Sequence, residues 1–339
     1  MGSDRGGFMG VARVMVLGGA GMLGHKMFQT LRERFDGVFC TVREDVRKQP
    51  FERVELLQGD DIVPGVDVTD FPALEGILSA FRPEYVVNCV GVIKQRAEAV
   101  SPIPSITINS LLPHKLAQMA AVWGGRVIHF STDCVFSGKR GEYTEEDHSD
   151  AGDLYGKTKF LGEVAVANAL TLRTSIIGRE LTEHRSLLDW FLSQKQKTVR
   201  GYRRVIYSGV TTNFLAELVA SIIQEHPGLN GLYQVASDPI SKYDLLCLLR
   251  EAYQLDVRIE PDDLEMSDRS MRCDRLRYGW FSFHMWNGTA RAIGGQTFGI
   301  SSNQHLPSRL QGWRPPPQRR EPRGRVWRGN RFLDRDSGS

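Results

Sequence analysis

Two residues capable of acid-base chemistry, Tyr155 and Lys159, lie four positions apart in the stretch DLYGKTK, Asp153–Lys159. On a helix this spacing places both side chains on one face, so the ammonium group can approach the phenol. A phenol with an unperturbed pKa of about 10 is a poor acid at neutral pH until a nearby cation lowers that pKa. Tyr and Lys at this spacing also occur on ordinary helix surfaces, so the assignment depends on the rest of the chain.

Further polar groups stand at the end of an apolar strand in the segment HFSTDCVF. Ser131, Thr132 and Asp133 follow the buried part of this strand, and open α/β sheets bind their ligands at the carboxyl ends of the strands. The sequence therefore predicts that these side chains face the same site as the Tyr-Lys pair.

A glycine-rich turn, LGGAGMLG, separates an apolar strand from an amphipathic helix near the start of the chain. Glycines at this junction allow a tight turn and a close approach to a pyrophosphate, which the helix N-terminus attracts. A purely structural turn is the alternative. The residues predicted to contact a dinucleotide here are Gly18, Gly21, Met22, Leu23 and Gly24.

The second strand ends in TVRED, where dinucleotide-binding proteins select their cofactor. Arg43 suits the 2′-phosphate of NADP, whereas Glu44 or Asp45 could bind the ribose hydroxyls of NAD; a solvated loop arginine is the alternative. Asp67 and Val68 are expected beside the adenine. The strand end NCVG adds Asn88, Cys89, Val90 and Gly91 as residues over which the cofactor would lie.

Apolar strands alternate with helical patterns from residue 11 to about residue 178, which predicts an α/β fold with a doubly wound parallel sheet of the Rossmann type. Residues 1–10 are expected to form a leader and residues 11–178 the dinucleotide-binding domain, with return segments within about 209–240. Residues 179–278 are expected to form mainly a smaller, discontinuous α/β substrate lobe.

The composition of the 339-residue chain limits the classes of function. No apolar run approaches the length of a membrane span, and the first residues lack a secretory signal, so we expect a cytoplasmic protein without membrane attachment. The five cysteines are widely spread and form no metal-ligand pattern. The first 278 residues are mildly acidic, which gives no reason to expect nucleic-acid binding through the main body.

Over residues 11–278 these motifs together resemble the extended short-chain dehydrogenase/reductase superfamily, and within it the dTDP-4-dehydrorhamnose reductase family. That family carries signatures close to STDxVFxGxxGxYxExD and YGxxKxxGE. The corresponding segments here are STDCVFSGKRGEYTEED, Ser131–Asp147, and YGKTKFLGE, Tyr155–Glu163.

The resemblance implies reduction of the C4 ketone of a nucleotide-linked 4-keto-6-deoxy sugar with NADPH, or with NADH, by a homodimer. No residue of this sequence is assigned as a metal ligand, and a metal at the subunit interface stays open. Tyr155 would be the general acid, and Lys159 would lower its pKa and bind the nicotinamide ribose. Thr132 would bind the carbonyl oxygen, and Asn109 would support Lys159 through water. Ser131 would contact the cofactor, and the residues expected to contact substrate are Asp133, Cys134, Lys94 and Ser175.

Two departures from the family pattern leave the exact substrate open. Cys134 stands where many members have Tyr, and Ile176 stands where many have Trp. One alternative within the fold is an epimerase or dehydratase that retains NAD. Another is an NADP-binding regulatory subunit of the kind that accompanies methionine adenosyltransferase.

Residues 279–339 do not resemble the family's usual end. They hold ten Arg, no Lys and three acidic residues, with few aliphatic residues in helical phase. A disordered basic arm is one interpretation. Our preferred hypothesis is a shifted reading frame near Tyr278, which translation of the gene in its other frames would test.

Overall fold

A parallel sheet of seven strands forms the centre of the part of the chain that the computed structural model describes, residues 10–92, 101–182 and 184–275. In chain order the strands are β1 (Gly10–Leu17), β2 (Phe35–Val42), β3 (Ile62–Pro64), β4 (Tyr85–Asn88), β5 (Arg126–Thr132), β6 (Ala169–Thr174), β7 (Ile176–Ile177), β8 (Thr198–Tyr207), β9 (Val210–Thr211), β10 (Gly231–Val235), β11 (Ile240–Ser241) and β12 (Arg258–Asp268). The central sheet has the order β10-β6-β5-β4-β1-β2-β3, with every pair parallel. This order contains the strand reversal of a Rossmann fold, so the predicted fold class is confirmed.

Helices cover both faces of this sheet. They are α1 (Gly24–Arg32), α2 (Phe71–Phe81), α3 (Pro102–Ser105), α4 (Leu112–Ala121), α5 (Leu154–Leu161), α6 (Leu187–Leu192), α7 (Thr212–Glu225) and α8 (Lys242–Ala252). A π-helical turn, Ile106–Leu111, joins α3 to α4. Among the helices in the described ranges, none combines the length and apolarity that a membrane crossing requires.

The apolar strands of the central sheet are buried on both faces, because successive side chains along a strand enter two different cores. Phe28 and Leu31 of α1 and Leu215 of α7 pack on one face with Val14 and Val16 of β1. On the other face, Met15 and Leu17 of β1 pack against α2 and α4 through Leu74, Leu78, Leu112 and Leu116.

A second, smaller lobe is built from chain segments on either side of α7 and β10. Its sheet has the order β11-β8-β12, and α6 and α8 contribute Leu188, Phe191, Leu245 and Leu249 to its core. The intervening α7 packs on the central sheet and β10 is one of its strands.

The last described residues, which follow β12 of the second lobe, pack against the segment that follows β5. Met271 forms a β-bridge with Tyr143 and packs against Val135 and Phe136. Arg269 donates a hydrogen bond to the carbonyl oxygen of Phe136 at 2.9 Å. The leader to residue 9, Lys94 and the tail from residue 279 lie outside the described residues.

Candidate active site

Helix α5 carries both Tyr155 and Lys159, as the spacing predicts. It begins at Leu154 because the Asp153 carboxylate caps it, accepting a hydrogen bond from the Gly156 amide at 2.7 Å. A Cβ atom at Gly156 would overlap the carbonyl oxygen of Cys134. Glycine in the YGKTK motif therefore lets α5 pack directly against the turn that follows β5.

Tyr155 and Thr132 meet at the carboxyl edge of the sheet, where their side chains share a hydrogen bond. Thr132 also donates to the Asp133 carboxylate at 3.0 Å and accepts from the Cys134 amide at 3.2 Å. Burial raises the pKa of Tyr155, and the neighbouring Cys134 adds to this, whereas the Thr132 hydrogen bond acts in the opposite direction. Because Thr132 gives its one hydroxyl proton to Asp133, Tyr155 is the donor in their shared hydrogen bond, and burial keeps it a protonated phenol at neutral pH.

Lys159 is buried and donates a hydrogen bond from Nζ to the carbonyl oxygen of Phe130 at 2.6 Å. Burial lowers the Lys159 pKa to about 8, and the charge of Glu163 acts against this decrease. The ammonium group of Lys159 is thus directed to the β5 backbone. The lowering of the Tyr155 pKa by Lys159 stays a prediction.

Asn109 is buried in the π-helical turn and binds two other segments of the chain. Its side-chain amide accepts from the Val92 amide at 2.9 Å and donates to the Val92 carbonyl oxygen at 3.1 Å. It also donates to the Thr158 hydroxyl at 3.3 Å, one residue before Lys159. Asn109 thus holds α5 in place, and its support of Lys159 through water stays a prediction.

Ser131 lies on the α5 side of β5, and its hydroxyl donates to the Glu163 carboxylate at 2.6 Å. Glu163 in turn accepts two hydrogen bonds from the guanidinium group of Arg173, at 2.9 and 2.7 Å. The structure thus gives Ser131 a protein partner, and its predicted contact with a cofactor stays a prediction.

The glycine-rich turn lies between β1 and α1, and its residues fit the pyrophosphate of a dinucleotide. Gly18 adopts a positive φ of 83°, and a Cβ atom at Gly24 would overlap the carbonyl oxygen of Gly18. Helix α1 has no side-chain cap at Leu23 and no acidic residue in its first turn, so its N-terminus can attract an anion. Met22 lies within the same turn.

The end of β2 is joined to this turn through its backbone. The amides of Gly18 and Gly19 donate to the Thr41 carbonyl oxygen at 3.2 and 2.9 Å, two residues before Arg43.

Arg43 is exposed and pairs with Glu44 at 2.9 Å. Asp67 is exposed and bonds to Thr69; these hydrogen bonds lower its pKa, as does the charge of Arg43. Arg43 and Asp67 therefore share one edge of the predicted adenosine site, whereas Val68 is buried in the core.

The NCVG segment packs against the glycine-rich turn, beside which the cofactor is predicted to lie. A Cβ atom at Gly18 would lie 2.8 Å from a side-chain methyl group of Val90. Asn88 is buried, donates to His129 Nδ1 at 3.1 Å and accepts from the Val90 amide at 3.1 Å. Burial raises the pKa of the Cys89 thiol well above its usual value, which makes it a packing residue rather than a nucleophile. Gly91 is exposed at the end of the segment.

Three of the predicted substrate residues lie together beside Tyr155. Asp133 shares hydrogen bonds with Thr132, Cys134 and Ser175, and its burial raises its pKa. Tyr207, at the end of β8, shares a hydrogen bond with Ser175, and the charge of Asp133 adds to the effect of burial in raising its pKa. The second lobe therefore supplies a phenol to this edge. Lys94, the fourth predicted residue, lies outside the described residues.

Three residues of this region were not among the predicted site residues. Glu163 and Arg173 had a signal in the sequence, because an arginine within the apolar strand ALTLRT requires a buried partner. Tyr207 had none, since only the path of β8 brings it to Ser175. Within the described residues, no group of three His, Cys, Asp or Glu side chains is arranged to hold a metal ion.

The family model described as RmlD substrate binding domain matches residues 12–291. The chain belongs to this family. Within the RmlD family and its relatives, the chain is 26% identical over 266 residues to rat methionine adenosyltransferase 2 subunit beta, covering 72% of each chain. It is 28% identical over 159 residues to dTDP-4-keto-6-deoxy-D-glucose reductase of Streptomyces niveus, covering 47% of this chain and 48% of the relative.

The RmlD fold is also seen in a solved dTDP-4-dehydrorhamnose reductase from Bacillus anthracis, which was determined in complex with NADP. The two structures superpose with a TM-score of 0.67 at 17% identity, covering 84% of this chain and 99% of the other. At this identity the similarity establishes the fold, which agrees with the family assignment.

Proposed function

We propose that this protein reduces the C4 ketone of a nucleotide-linked 4-keto-6-deoxy sugar, with NADPH as the preferred reductant and NADH as the second choice. It is an NAD(P)-dependent oxidoreductase of the extended short-chain dehydrogenase/reductase type. The observation that carries the proposal is the hydrogen bond between Tyr155 and Thr132 at the carboxyl edge of a Rossmann sheet, with Lys159 on the same helix. A cytoplasmic location is part of this proposal.

The side chains at this edge suit the proton transfer that ketone reduction requires. Tyr155 is protonated at neutral pH and can donate its proton to the carbonyl oxygen as that oxygen gains charge. The Thr132 hydroxyl lies beside it, and by turning from Asp133 it would donate a second hydrogen bond to the same oxygen. Lys159, with a pKa of about 8, carries the positive charge that binds the ribose and favours the phenolate left on Tyr155.

The cofactor would be held by the glycine-rich turn and the ends of β2 and β4, and the nicotinamide ring supplies the hydride when it is bound. Arg43 is exposed beside Asp67 and can turn from Glu44 to a 2′-phosphate, which favours NADPH. The substrate would lie over Asp133, Cys134 and Ser175, where Asp133 can bind sugar hydroxyl groups. Lys94 remains a proposed contact for the diphosphate.

The test is nicotinamide oxidation by the purified protein with NADPH or NADH and a dTDP- or UDP-linked 4-keto-6-deoxyhexose. Tyr155→Phe should lower the rate by about 10²- to 10⁴-fold, the usual contribution of general acid catalysis. Tyr202→Phe removes a phenol from β8 in the second lobe and should leave the rate unchanged. Equal rates for wild type and Tyr155→Phe would contradict the proposal, and NAD that stays bound through purification would favour the epimerase or dehydratase.

A non-catalytic NADP-binding regulatory subunit is the second candidate, since seven of the relatives are methionine adenosyltransferase 2 beta subunits. The chain covers 72% of the rat protein, so the similarity extends over most of both chains. Stimulation or tight binding of a methionine adenosyltransferase catalytic subunit, with no turnover of any keto sugar, would favour this candidate.

We also propose a homodimer, formed through an apolar face on α3, the π-helical turn and α5. This face exposes Ile103 (78%), Ile106 (48%), Leu111 (41%), Phe160 (42%) and Leu161 (60%). Adjacent exposed apolar side chains of this kind commonly mark protein interfaces. Analytical ultracentrifugation should show a dimer that Ile103→Glu converts to a monomer; a monomeric wild-type protein would contradict the assignment.

A further inference from the structure

A buried ion pair lies directly behind the proposed catalytic helix. The side chains of Arg173 and Glu163 are 2% and 8% exposed, and two hydrogen bonds join them at 2.9 and 2.7 Å. Arg173 faces Ser131 across the β5-β6 register, and Ser131 donates to the same carboxylate at 2.6 Å. The Arg173 guanidinium group also lies 4.9 Å from the centre of the Phe136 ring.

A buried pair of this kind costs desolvation energy and is weak evidence for stability in itself. Its position suggests a further role, because Glu163 follows Lys159 by four residues and α5 ends between them, at Leu161. Lys159 bonds the Phe130 carbonyl oxygen at 2.6 Å, and Glu163 accepts from the hydroxyl of the next residue, Ser131, also at 2.6 Å, so both side chains are held at the same point of β5. There the Glu163 charge opposes the effect of burial on the Lys159 pKa. The carboxylate itself cannot turn away, because Arg173 and Ser131 occupy it with three hydrogen bonds.

We propose that Glu163, clamped by Arg173 and Ser131, is a positioning residue that keeps the charged ammonium group of Lys159 at the edge of the active site. The proposal rests on the proposed reductase function, in which Lys159 must carry its charge during turnover. It assigns Ser131 to the positioning of Glu163 rather than to direct contact with the cofactor.

Other groups around Lys159 do not supply this compensation. His129 of β5 is buried, and burial together with the Lys159 charge holds its pKa well below the usual value, so it is neutral. Tyr155 on α5 is protonated at neutral pH. His114 of α4 bonds the Leu161 carbonyl oxygen at 2.8 Å and contributes to the lowered pKa of His129. Among the described residues, Glu163 is thus the acidic group that acts on Lys159.

The first measurement is the titration of Lys159 by NMR, using protein labelled at lysine Cε and Lys159→Met to assign the signal. The wild-type midpoint should be about 8. Glu163→Gln should lower this midpoint by about one pH unit, the lower end of what a neighbouring opposite charge supplies. Glu217→Gln, which removes the exposed partner of Arg34, is the matched control and should leave the midpoint unchanged.

Glu163→Gln leaves Arg173 buried without a charged partner, so this variant alone could fail to fold. The double variant Glu163→Gln/Arg173→Gln removes both charges and should lower the Lys159 midpoint in the same direction. Ser131→Ala keeps the ion pair and should lower the midpoint by a smaller amount. A Lys159 midpoint that is the same in wild type and in every folded variant would overturn the proposal.

The pH profile of kcat/KM separates this inference from the proposed function. If wild type turns over keto sugars, the fall of kcat/KM at alkaline pH should begin at lower pH in the Glu163 variants. At a pH above the wild-type midpoint, kcat/KM should then be about tenfold lower in these variants than in wild type. A protein with no turnover but a shifted Lys159 midpoint would refute the reductase and support the positioning role. Turnover with an unshifted limb and midpoint would refute the positioning role alone.

Discussion

The side-chain amide of Asn109 donates a hydrogen bond to the Thr158 hydroxyl at 3.3 Å and binds both backbone groups of Val92. One buried residue thereby joins the π-helical turn, the end of the NCVG segment and the proposed catalytic helix. These three segments carry the nicotinamide site and the Tyr-Lys pair in the proposed function. The amide therefore positions α5 against the proposed cofactor site.

Replacing Asn109 with Ala should impair both stability and turnover. The change leaves the Val92 backbone groups unsatisfied, which should lower the free energy of unfolding by about 2 kcal/mol. Asn168→Ala is the matched control, because its amide donates to the Ala117 and Gly125 carbonyl oxygens at 2.9 and 3.3 Å. Denaturant unfolding should show a loss in both variants, whereas nicotinamide oxidation should fall only in Asn109→Ala. An equal loss of turnover in both would indicate a general effect of stability.

Replacing Thr132 with Val should lower kcat and leave KM nearly unchanged. The valine keeps the shape of the side chain but removes the donor beside Tyr155, and one such donor contributes about 10²- to 10³-fold to kcat. Thr171→Val is the control, because this buried hydroxyl on the neighbouring strand β6 donates to the Val164 carbonyl oxygen at 2.7 Å, between α5 and β6. Steady-state kinetics that show a raised KM with normal kcat in Thr132→Val would assign the hydroxyl to binding alone.

Replacing Arg43 with Ala should change the choice of cofactor. A charge-assisted hydrogen bond to a phosphate contributes about 1.5 to 3 kcal/mol, so the Kd for NADPH should rise at least about tenfold. The Kd for NADH should change little. Arg47→Ala, four residues further along the same loop, is the control. Fluorescence titration with both cofactors makes the comparison, and equal effects on both would rule out a contact with the 2′-phosphate.

The pKa of Lys159 predicts two effects of pH. The folded pKa of about 8 lies below the ordinary value of 10.5, so the unfolded chain binds more protons between these pH values. The Lys159 contribution to stability should therefore rise with pH from about 8 to 10.5, while turnover falls as the ammonium group loses its charge. Urea unfolding of wild type across this pH range, compared with Lys159→Met, measures the effect on stability. The wild-type kcat/KM across the same range measures the effect on turnover. A wild-type rate that increases above pH 8 would exclude a need for charged Lys159.

Much of the fold could be predicted because its central strands are buried on both faces. β1, β4 and β5 appear in the sequence as continuous apolar runs, and the helices between them have apolar residues at helical spacing. β3 was not predicted because it has only three residues and ends in Pro64. β8 and β12 were missed because their many exposed polar residues conceal the strand pattern.

The sequence by itself determined the family, the Rossmann sheet and the identity of the reactive groups, because glycine spacing, apolar runs and the Tyr-Lys interval are local properties. Only the tertiary structure decided the partners of those groups. The register of β5 with β6 places Ser131 beside Arg173, and the packing of α5 directs Lys159 to the Phe130 carbonyl oxygen. Burial then sets their pKa values, and burial depends on contacts between residues that are far apart in the chain.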